Sequence, residues 1–418
     1  MNKKFKVLVL SDHALSTSGV GTQTRHLING LLKKGCWSFR QFGAAMKHNC
    51  YDTVVLNDDF IIKPIDGFGD PNLIRRTLAI EKPDLLLIFT DPRFFTWLFD
   101  IEDEIHQVCP IAWWHVWDNL PYPKFNDNFY EATDAINCHS HMTYTMLMDE
   151  GTHADRTHFI PHSIPRELFY KLPKDEIESQ KESLLGSDRK DHFVGIWVNR
   201  NAKRKRPNDV LLSWKMFLDK LDSEYGHRNA TLIMHTEPTD SEGPDLFRAS
   251  KMLDIEDSVF FSRDRIDFDK MNVLYNISDF CITVSYAEGF GLSTLESMMT
   301  GTPIISVKTG GLTRQVVDHR DGSENGIALP VECQTLVGSQ SVPYIFEDYV
   351  NNETVANSLL EFYNRTRSNE YKEKLSQKVL NYATEEFAYE KTDDLWHTNM
   401  LETIEKFKTR KNWHTISL

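Results

Sequence analysis

Short apolar runs alternate with helical patterns along most of this chain, and that alternation constrains its fold more than any other feature. In the first part, Lys6–Leu10, Asp84–Phe89 and Pro110–His115 predict buried strands. Between the first two, Thr22–Lys34 has apolar residues at helical spacing, and Gly35 supplies a stop. A β-α-β-α order predicts a parallel sheet with helices on both faces.

The alternation restarts after a charged stretch, residues 171–190, that lacks strand patterning. Phe193–Val198 and Phe280–Val284 then predict strands, Pro207–Leu221 predicts a helix, and a helical pattern runs on from about Asn351. We therefore expect an α/β protein with two Rossmann-like, doubly wound parallel-sheet domains that face a central cleft. The expected boundaries are 1–170 for the first domain, 171–190 for the linker and 191–388 for the second domain.

Composition narrows the class of protein. Of 418 residues, 40% are hydrophobic and 11% aromatic, which argues against a disordered chain. The 47 basic and 61 acidic residues give a net charge of −14, which disfavours a general nucleic-acid binder. The sequence has no run of about 18 apolar residues, so no membrane span is expected. Six scattered cysteines without a CxxC pair are typical of reduced thiols, and we expect a cytoplasmic protein.

The most informative segment is Ser285–Glu296, SYAEGFGLSTLE. A strand ends near Ser285, two glycines follow, and a helix begins near Ser293. Such a loop directs backbone N–H groups and a helix N-terminus at an anion, and phosphate is the expected one. Glu288 and Glu296 could both face the cleft and accept hydrogen bonds from sugar hydroxyls. The alternative is a capping box of Ser293 with Glu296 and an exposed loop carboxylate at Glu288.

Further motifs extend this segment. Glu288 and Glu296 form the pattern Glu-x7-Glu inside EGFGLSTLE, and Gly301–Ile304 (GTPI) and Gly310–Gly311 follow. The combination resembles the donor-binding core of retaining GT-B glycosyltransferases, most closely the group 1 class, glycosyltransferase family 4. The resemblance covers most of the chain and is strongest over residues 193–318.

The resemblance implies a hexosyltransferase-like enzyme that moves a sugar from a nucleotide diphosphate sugar to an acceptor, with retention of anomeric configuration. It assigns Glu288 to the hydroxyls of the transferred sugar and Glu296 to the ribose. Backbone groups of Phe290, Gly291 and Leu292 would hold phosphate or sugar. The family requires no metal ion, and its donor is a substrate rather than a cofactor, so we expect neither metal nor cofactor here.

A basic run, VNRNAKRKRP, follows the first strand of the second domain. Cations there could neutralise a diphosphate leaving group. The resemblance assigns this role to an Arg and a Lys five positions apart, which Arg200 and Lys205 match. The family has glycine after that Lys whereas this chain has Arg206, so Lys203 or Arg204 stays open as a substitute. The alternative is an exposed basic run that binds no ligand.

The turn between the first strand and the first helix contains Ser18, Gly19, Val20 and Gly21. Its GxG could form a dinucleotide-binding turn, but no third glycine follows at the required offset. The resemblance aligns Ser18–Val20 with the Gly-Gly-hydrophobic loop that lies against donor phosphate and acceptor in the family, and makes Gly19 a donor-binding candidate. An ordinary strand-to-helix turn is the alternative.

His115 ends the predicted strand Pro110–His115 in the first domain. A histidine at the carboxyl end of a strand would open onto the cleft, where it could bond a sugar hydroxyl or assist charge separation. The resemblance places a histidine there and makes His115 a catalytic candidate. The alternative is a buried, hydrogen-bonded histidine among the many aromatic residues nearby.

Two short motifs could suggest a metal, but neither predicts one. Asp267 and Asp269 form an Asp-x-Asp at the start of a helix, where an N-cap is expected. His139 and His141 could lie on one strand face, but no third ligand is evident.

These motifs do not identify the acceptor. Lipid, glycan, small-molecule, protein and modified nucleic-acid acceptors all stay possible, although the net charge disfavours nucleic acid. Two other functions also stay open, a nucleotide-sugar epimerase or hydrolase of the same fold and a non-catalytic nucleotide-sugar-binding protein. Oligomeric state is not indicated. The resemblance places the final helix, about residues 389–418, back on the first domain.

Overall fold

Two parallel sheets, one in each half of the chain, form the core of the computed structural model, which describes residues 4–46 and 49–409. The strands of the first sheet are β1 (Phe5–Asp12), β2 (Trp37–Ala44), β3 (Val54–Asn57), β4 (Phe60–Pro64), β5 (Leu85–Thr90), β6 (Ile111–His115), β7 (Ala135–Cys138) and β8 (Thr157–Phe159). They lie in the order β3-β4-β2-β1-β5-β6-β7-β8, with only the β3–β4 pair antiparallel.

Helices connect these strands as the alternation predicts. They are α1 (Gly19–Lys33), α2 (Pro71–Glu81), α3 (Thr96–Phe99), α4 (Glu102–Ile105), α5 (Asp127–Glu131) and α6 (His141–Glu150). Helix α1 begins three residues before the predicted start because Ser18 caps it, its Oγ accepting from the N–H of Gly21 at 3.0 Å. In α2, Asp70 is the N-cap and Pro71 the first residue, as its Asp-Pro pair predicts.

The second half repeats the architecture with six strands. After α7 (Lys174–Leu185), the sheet contains β9 (Phe193–Val198), β10 (Ala230–His235), β11 (Val259–Ser262), β12 (Phe280–Thr283), β13 (Ile304–Val307) and β14 (Gly326–Leu329). All neighbouring strands are parallel, in the order β11-β10-β9-β12-β13-β14. The helices between the strands are α8 (Pro207–Tyr225), α9 (Leu246–Met252), α10 (Phe268–Asn276), α11 (Leu292–Met299) and α12 (Thr313–Val316).

An antiparallel hairpin, β15 (Cys333–Val337) and β16 (Ile345–Tyr349), follows the second sheet. It was not predicted, and neither were β2, β4 and β14. The pattern of β2 is interrupted by Arg40 and Gln41, yet Gln41 is buried because its amide bonds Ser11 Oγ and the Asp12 carbonyl. The expected linker, residues 171–190, contains helix α7, and the domain boundaries stay a prediction.

The last helices return the chain to the first half. They are α13 (Asn352–Thr366), α14 (Asn369–Glu386) and α15 (Tyr389–Thr409). Trp396, Met400 and Ile404 of α15 are buried in the core beneath the first sheet, and the Trp396 ring packs edge-on against Trp114 at 4.8 Å. Residues 410–418 of the predicted final helix lie outside the described residues. In the described ranges, no helix is long and apolar enough to cross a membrane.

Candidate active site

The strand order of the second sheet locates a crevice. The order reverses between β9 and β12, and ligands bind at the carboxyl ends of strands where such a reversal occurs. The basic run follows β9, and residues 284–291, the β12–α11 loop, follow β12. The two segments that the sequence singles out therefore lie side by side, joined by a 3.0 Å hydrogen bond from the Tyr286 N–H to the Arg204 carbonyl.

Gly291 is the N-cap of α11 and adopts a left-handed conformation with φ of +92°. The helix begins at Leu292, so Ser293 lies inside its first turn, and no side chain caps it. The capping-box alternative is therefore wrong. The Glu296 carboxylate instead accepts a hydrogen bond from the Tyr275 hydroxyl at 2.7 Å.

Neighbouring residues hold the β12–α11 loop rigidly. The Gln315 amide donates to the carbonyls of Phe290 at 2.7 Å and Gly291 at 3.1 Å. The Gly311 N–H donates to the Glu288 carbonyl at 2.9 Å. With these carbonyls bonded behind the loop, its backbone is preorganised for a ligand. Gln315 gave no sequence signal, whereas Gly311 belongs to the predicted Gly-Gly pair.

Replacing Gly291 with alanine should destabilise the protein by about 2 kcal/mol, because residue 291 must stay left-handed and because space is lacking. A Cβ there would lie 2.4 Å from Leu312 Cδ2 and 2.6 Å from Thr294 Oγ1. Gly226→Ala is the matched control, since Gly226 is also left-handed, with φ of +72°, but has open space. Urea denaturation of both variants measures the difference, and equal losses would contradict the close packing of the loop.

The central feature of the crevice is an ion pair between Glu288 and Lys205. The Lys205 ammonium contacts the Glu288 carboxylate, and both side chains are largely buried, with 13% and 14% exposure. Burial acts to raise the pKa of Glu288, but Lys205 and Arg204 hold it below its ordinary value. Arg204 also bonds the Asp118 carboxylate of the first half at 3.0 Å. Glu288 therefore stays ionised between two cations.

Arg206 explains the departure from the family pattern. Its backbone is left-handed, with φ of +53°, a conformation that favours glycine. Its guanidinium is held by packing over the rings of Tyr286 and Tyr349 at 5.0 and 5.3 Å, and by a 3.1 Å bond to the Val350 carbonyl. Arg206 thus adopts the left-handed backbone conformation that the glycine of the family pattern would favour.

Not all of the predicted basic side chains lie near Glu288. Arg200 is 63% exposed and donates to Asp240 at 2.9 and 3.2 Å. Lys203 is exposed as well. Arg204, which the sequence left open as a substitute, is the guanidinium that adjoins Glu288 and the first half. Asp118, its partner there, was missed because no sequence pattern links it to the basic run.

The prediction that His115 opens onto the cleft is wrong. Its side chain is 1% exposed and lies under Trp113, 4.3 Å away edge-to-face. A 3.0 Å hydrogen bond joins its Nε2 to the Tyr130 hydroxyl, and its Nδ1 lies 3.9 Å from Cys138 Sγ. Burial lowers the pKa of His115 well below its ordinary value. The alternative interpretation, a partnered histidine among core aromatics, describes it.

A different histidine of the first half faces the crevice. His139 directly follows β7, and its Nε2 would lie 3.1 Å from a Cβ on Gly289. Its ring stacks on His162 at 4.3 Å with an interplanar angle of 9°, and the Phe290 ring packs against His162 at 5.0 Å. In the sequence His139 stands out only as half of a possible metal motif, whereas its position directly after a strand is the signal that places it here. Across the described residues, no cluster of three or more metal-ligating side chains occurs.

The glycine turn of the first half approaches α11. A Cβ on Gly19 would lie 3.0 Å from Leu292 Cδ1, so the two donor-binding candidates Gly19 and Leu292 are neighbours. Ser18 orients this turn, because its hydroxyl donates to the Asp12 carboxylate at 2.6 Å while capping α1. Both halves therefore contribute to one crevice.

The unpredicted hairpin bridges the same two halves. The Phe346 N–H donates to the Leu120 carbonyl, and the Asn119 amide donates to the Phe346 carbonyl, both at 2.7 Å. Val342 packs with Trp117 in a small apolar cluster beside these bonds. Residues 117–120, which follow β6, thus form a contact surface for the hairpin.

Glu296 should make stability depend on pH. Burial raises its pKa to about 7 from an ordinary 4.5, and the bond from Tyr275 offsets this only in part. Between these values the folded carboxyl keeps its proton while the unfolded one loses it, so its stabilising contribution is complete below 4.5 and lost as the pH rises through 7. From about pH 5 to pH 8, wild type should lose about 2 kcal/mol more free energy of unfolding than Glu296→Gln. Urea denaturation at both pH values measures this, and parallel curves would contradict it.

Comparison with known proteins finds a family match in the second half of the chain. Residues 181–334 match the family model described as "Glycosyl transferases group 1". We call these residues, 181–334, the group 1 domain after the family model that they match. The group 1 domain contains the basic run, the β12–α11 loop and α11, so the family match and the crevice coincide.

Curated relatives match the chain over part of its length. It is 31% identical over 166 residues to D-inositol 3-phosphate glycosyltransferase 2 of Catenulispora acidiphila, covering 39% of this chain and 38% of that protein. It is 25% identical over 208 residues to N-acetyl-alpha-D-glucosaminyl L-malate synthase of Bacillus anthracis, covering 49% and 48%. The matches thus span less than half of these relatives.

Solved structures extend the likeness to both halves. Sucrose-phosphate synthase from Thermosynechococcus elongatus superposes with a TM-score of 0.73 at 16% identity, covering 96% of this chain and all of that one. Anabaena HepE in complex with UDP-glucose superposes with a TM-score of 0.67 at 15% identity, covering 96% and 99%. The group 1 domain is therefore one half of a GT-B fold, which confirms the predicted fold class.

Proposed function

We propose that this chain transfers a sugar from a nucleotide diphosphate sugar to an acceptor, with retention of anomeric configuration and without a metal ion. The observation that carries the proposal is the buried ion pair of Glu288 and Lys205 in the crevice of a group 1 domain. A carboxylate can bind sugar hydroxyls, and an adjacent ammonium can bind phosphate oxygens. This one ion pair thus offers a group for the sugar and a group for the diphosphate of a nucleotide sugar.

In the proposed reaction, the bond between the anomeric carbon and the β-phosphate oxygen breaks and a bond to an acceptor oxygen forms on the same face. Lys205, Arg204 and the N-terminus of α11 at Leu292 stabilise the charge that grows on the diphosphate. The acceptor proton passes to the departing phosphate oxygen, so the protein supplies no separate base. Glu288 holds the transferred sugar through its hydroxyls while Glu296 binds the ribose.

The remaining predicted residues receive roles around this core. Backbone groups of Phe290 and Gly291 bind phosphate or sugar. Gly19, in the first half, lies against the bound donor. Arg200 can contact the diphosphate only after its hydrogen bond to Asp240 breaks. Arg204 therefore stabilises more of the diphosphate charge than Arg200 does. The hairpin limits how far the two halves separate and helps to exclude water. A cytoplasmic location stays a prediction from the cysteines.

The HepE structure was solved with UDP-glucose, and the curated relatives are named for D-inositol 3-phosphate and L-malate acceptors. UDP-glucose is therefore the first donor to test, beside UDP-N-acetylglucosamine, GDP-mannose and ADP-glucose. A donor at one hundred times its Kd should stabilise the protein by about 2.7 kcal/mol, visible as a raised Tm. Lys205→Ala should lose this shift and the exposed Lys203→Ala should keep it. If no nucleotide sugar or free nucleoside diphosphate raises the Tm of the wild type, the proposed function is wrong.

A further inference from the structure

Arg204 is joined to the first half of the chain through only one of its nitrogens. Its Nη1 donates to the Asp118 carboxylate at 3.0 Å and to the Ala287 carbonyl, so both N–H bonds of this nitrogen are used. Among the described residues, neither Nε nor Nη2 of Arg204 has a hydrogen-bond partner. The Arg204 side chain is 46% exposed, which leaves room for a ligand at these two nitrogens.

The open edge of Arg204 has the geometry that a phosphate group requires. Nε and Nη2 of a guanidinium present parallel N–H groups, which bind two oxygens of one phosphate or carboxylate together. The Glu288 charge acts on the same guanidinium, so Arg204 lies beside the contact of Glu288 with Lys205. The part of Arg204 that Asp118 leaves open is therefore the part best suited to bind a diphosphate.

Asp118 is held in place from both halves of the chain. In the first half, a hydroxyl of α6 donates to the carbonyl of Trp117, the residue before Asp118, at 2.9 Å. In the second half, the hairpin bonds the two residues that follow Asp118, and a Cβ on Gly289 would lie 3.8 Å from the Asp118 Cβ. The position of the Asp118 carboxylate thus depends on contact between the two halves.

We propose that Asp118 is a positioning residue for sugar transfer, which directs the open edge of Arg204 at the donor diphosphate when the two halves are in contact. The inference rests on the proposed function, since it needs a diphosphate bound beside Lys205. Arg200 cannot take this role while Asp240 holds it at the surface. Contact between the halves and stabilisation of the leaving diphosphate are thereby coupled through one ion pair.

The test is a double-mutant cycle of Asp118→Ala and Arg204→Ala, with Asp118→Asn as the conservative variant. The control is Glu104→Ala, which removes an exposed acid of the first half that bonds Arg75 at 2.7 Å through both oxygens. Asp118 and Arg204 are 25% and 46% exposed, and ion pairs this exposed add little stability, so all variants should fold.

The probes are UDP, GDP and ADP. The one that raises the wild-type Tm most is used, together with the matching nucleotide sugar. Calorimetry gives the Kd of the nucleoside diphosphate. Anomeric-proton NMR at saturating donor gives kcat for donor turnover with water as acceptor.

Asp118→Ala should raise the Kd of the nucleoside diphosphate about tenfold and lower kcat about tenfold, but should change each less than about twofold when Arg204 is already alanine. Asp118→Asn should recover most of the loss, because its amide oxygen can also accept from Nη1, and Glu104→Ala should match wild type. An unchanged Kd in Asp118→Ala, tighter binding through release of a competing carboxylate, or an equal loss in the Arg204→Ala background would overturn the inference. Failure of all three nucleoside diphosphates to bind wild type would instead refute the proposed function, and the inference with it.

Discussion

Replacing Glu288 with glutamine should lower sugar transfer by about 10²- to 10³-fold. Glutamine keeps the shape of the side chain but removes the charge that faces Lys205. Neutral oxygen binds sugar hydroxyls less strongly than a carboxylate, and Lys205 is left without its counter-ion. The rate is measured as donor turnover at saturating donor, where loss of transition-state stabilisation appears in kcat.

Stability must be measured beside that rate. Removing one partner of a buried ion pair costs about 3–5 kcal/mol, so a lower Tm is expected for Glu288→Gln as well. The double variant Glu288→Gln, Lys205→Met should regain part of that stability but none of the activity, because it removes the unpaired charge and the diphosphate contact together. The exposed Glu256→Gln serves as the control for an added amide. Wild-type turnover in folded Glu288→Gln would contradict the site assignment.

Replacing Lys205 with alanine should lower kcat by a similar 10²- to 10³-fold, because the growing charge on the diphosphate loses its buried ammonium. Lys203→Ala, two positions earlier and exposed, should stay within twofold of wild type. Free nucleoside diphosphate should bind Lys205→Ala at least tenfold more weakly, which calorimetry measures. Equal binding by both variants would contradict a diphosphate contact at Lys205.

The same series decides between the two arginines. Arg204 lies against Glu288 and Asp118, whereas Arg200 bonds Asp240 at the surface. Arg204→Ala should therefore reduce kcat at least tenfold more than Arg200→Ala. The reverse order would mean that Arg200 leaves Asp240 to bind the diphosphate, as the sequence motif alone predicts.

Hydrophobic periodicity and the residues that end helices and strands predicted the fold well, because most strands of both sheets are buried on both faces. Such strands are continuous apolar runs in sequence, as Asp84–Phe89 shows for β5 (Leu85–Thr90). Strand β2 was missed because Gln41 satisfies its polar atoms through Ser11 and Asp12, partners thirty residues away. The hairpin was missed because most of β15 is exposed and its stability depends on Asn119 and Leu120 across the crevice.

The site residues also divide into those that local motifs reveal and those that depend on distant contacts. Glu288 and Lys205 could be found because local motifs contain them, and the structure joins them. His115 was misplaced because its strand position does not reveal that Tyr130 and Cys138 enclose it. Arg206 shows that a glycine in a motif can be replaced when the backbone conformation is kept. Here the rings of Tyr286 and Tyr349 hold the Arg206 side chain in that conformation.

Proton NMR of the anomeric signal during turnover tests the proposal that this crevice transfers sugar with retention. The protein is mixed with the α-linked nucleotide sugar that stabilises it, and spectra are taken before mutarotation scrambles the product. We expect the first sugar released to water, or joined to an acceptor, to have the α configuration, and we expect Glu288→Gln to suppress its formation. A β-configured first product, or a donor isomerised at another carbon without release, would contradict it.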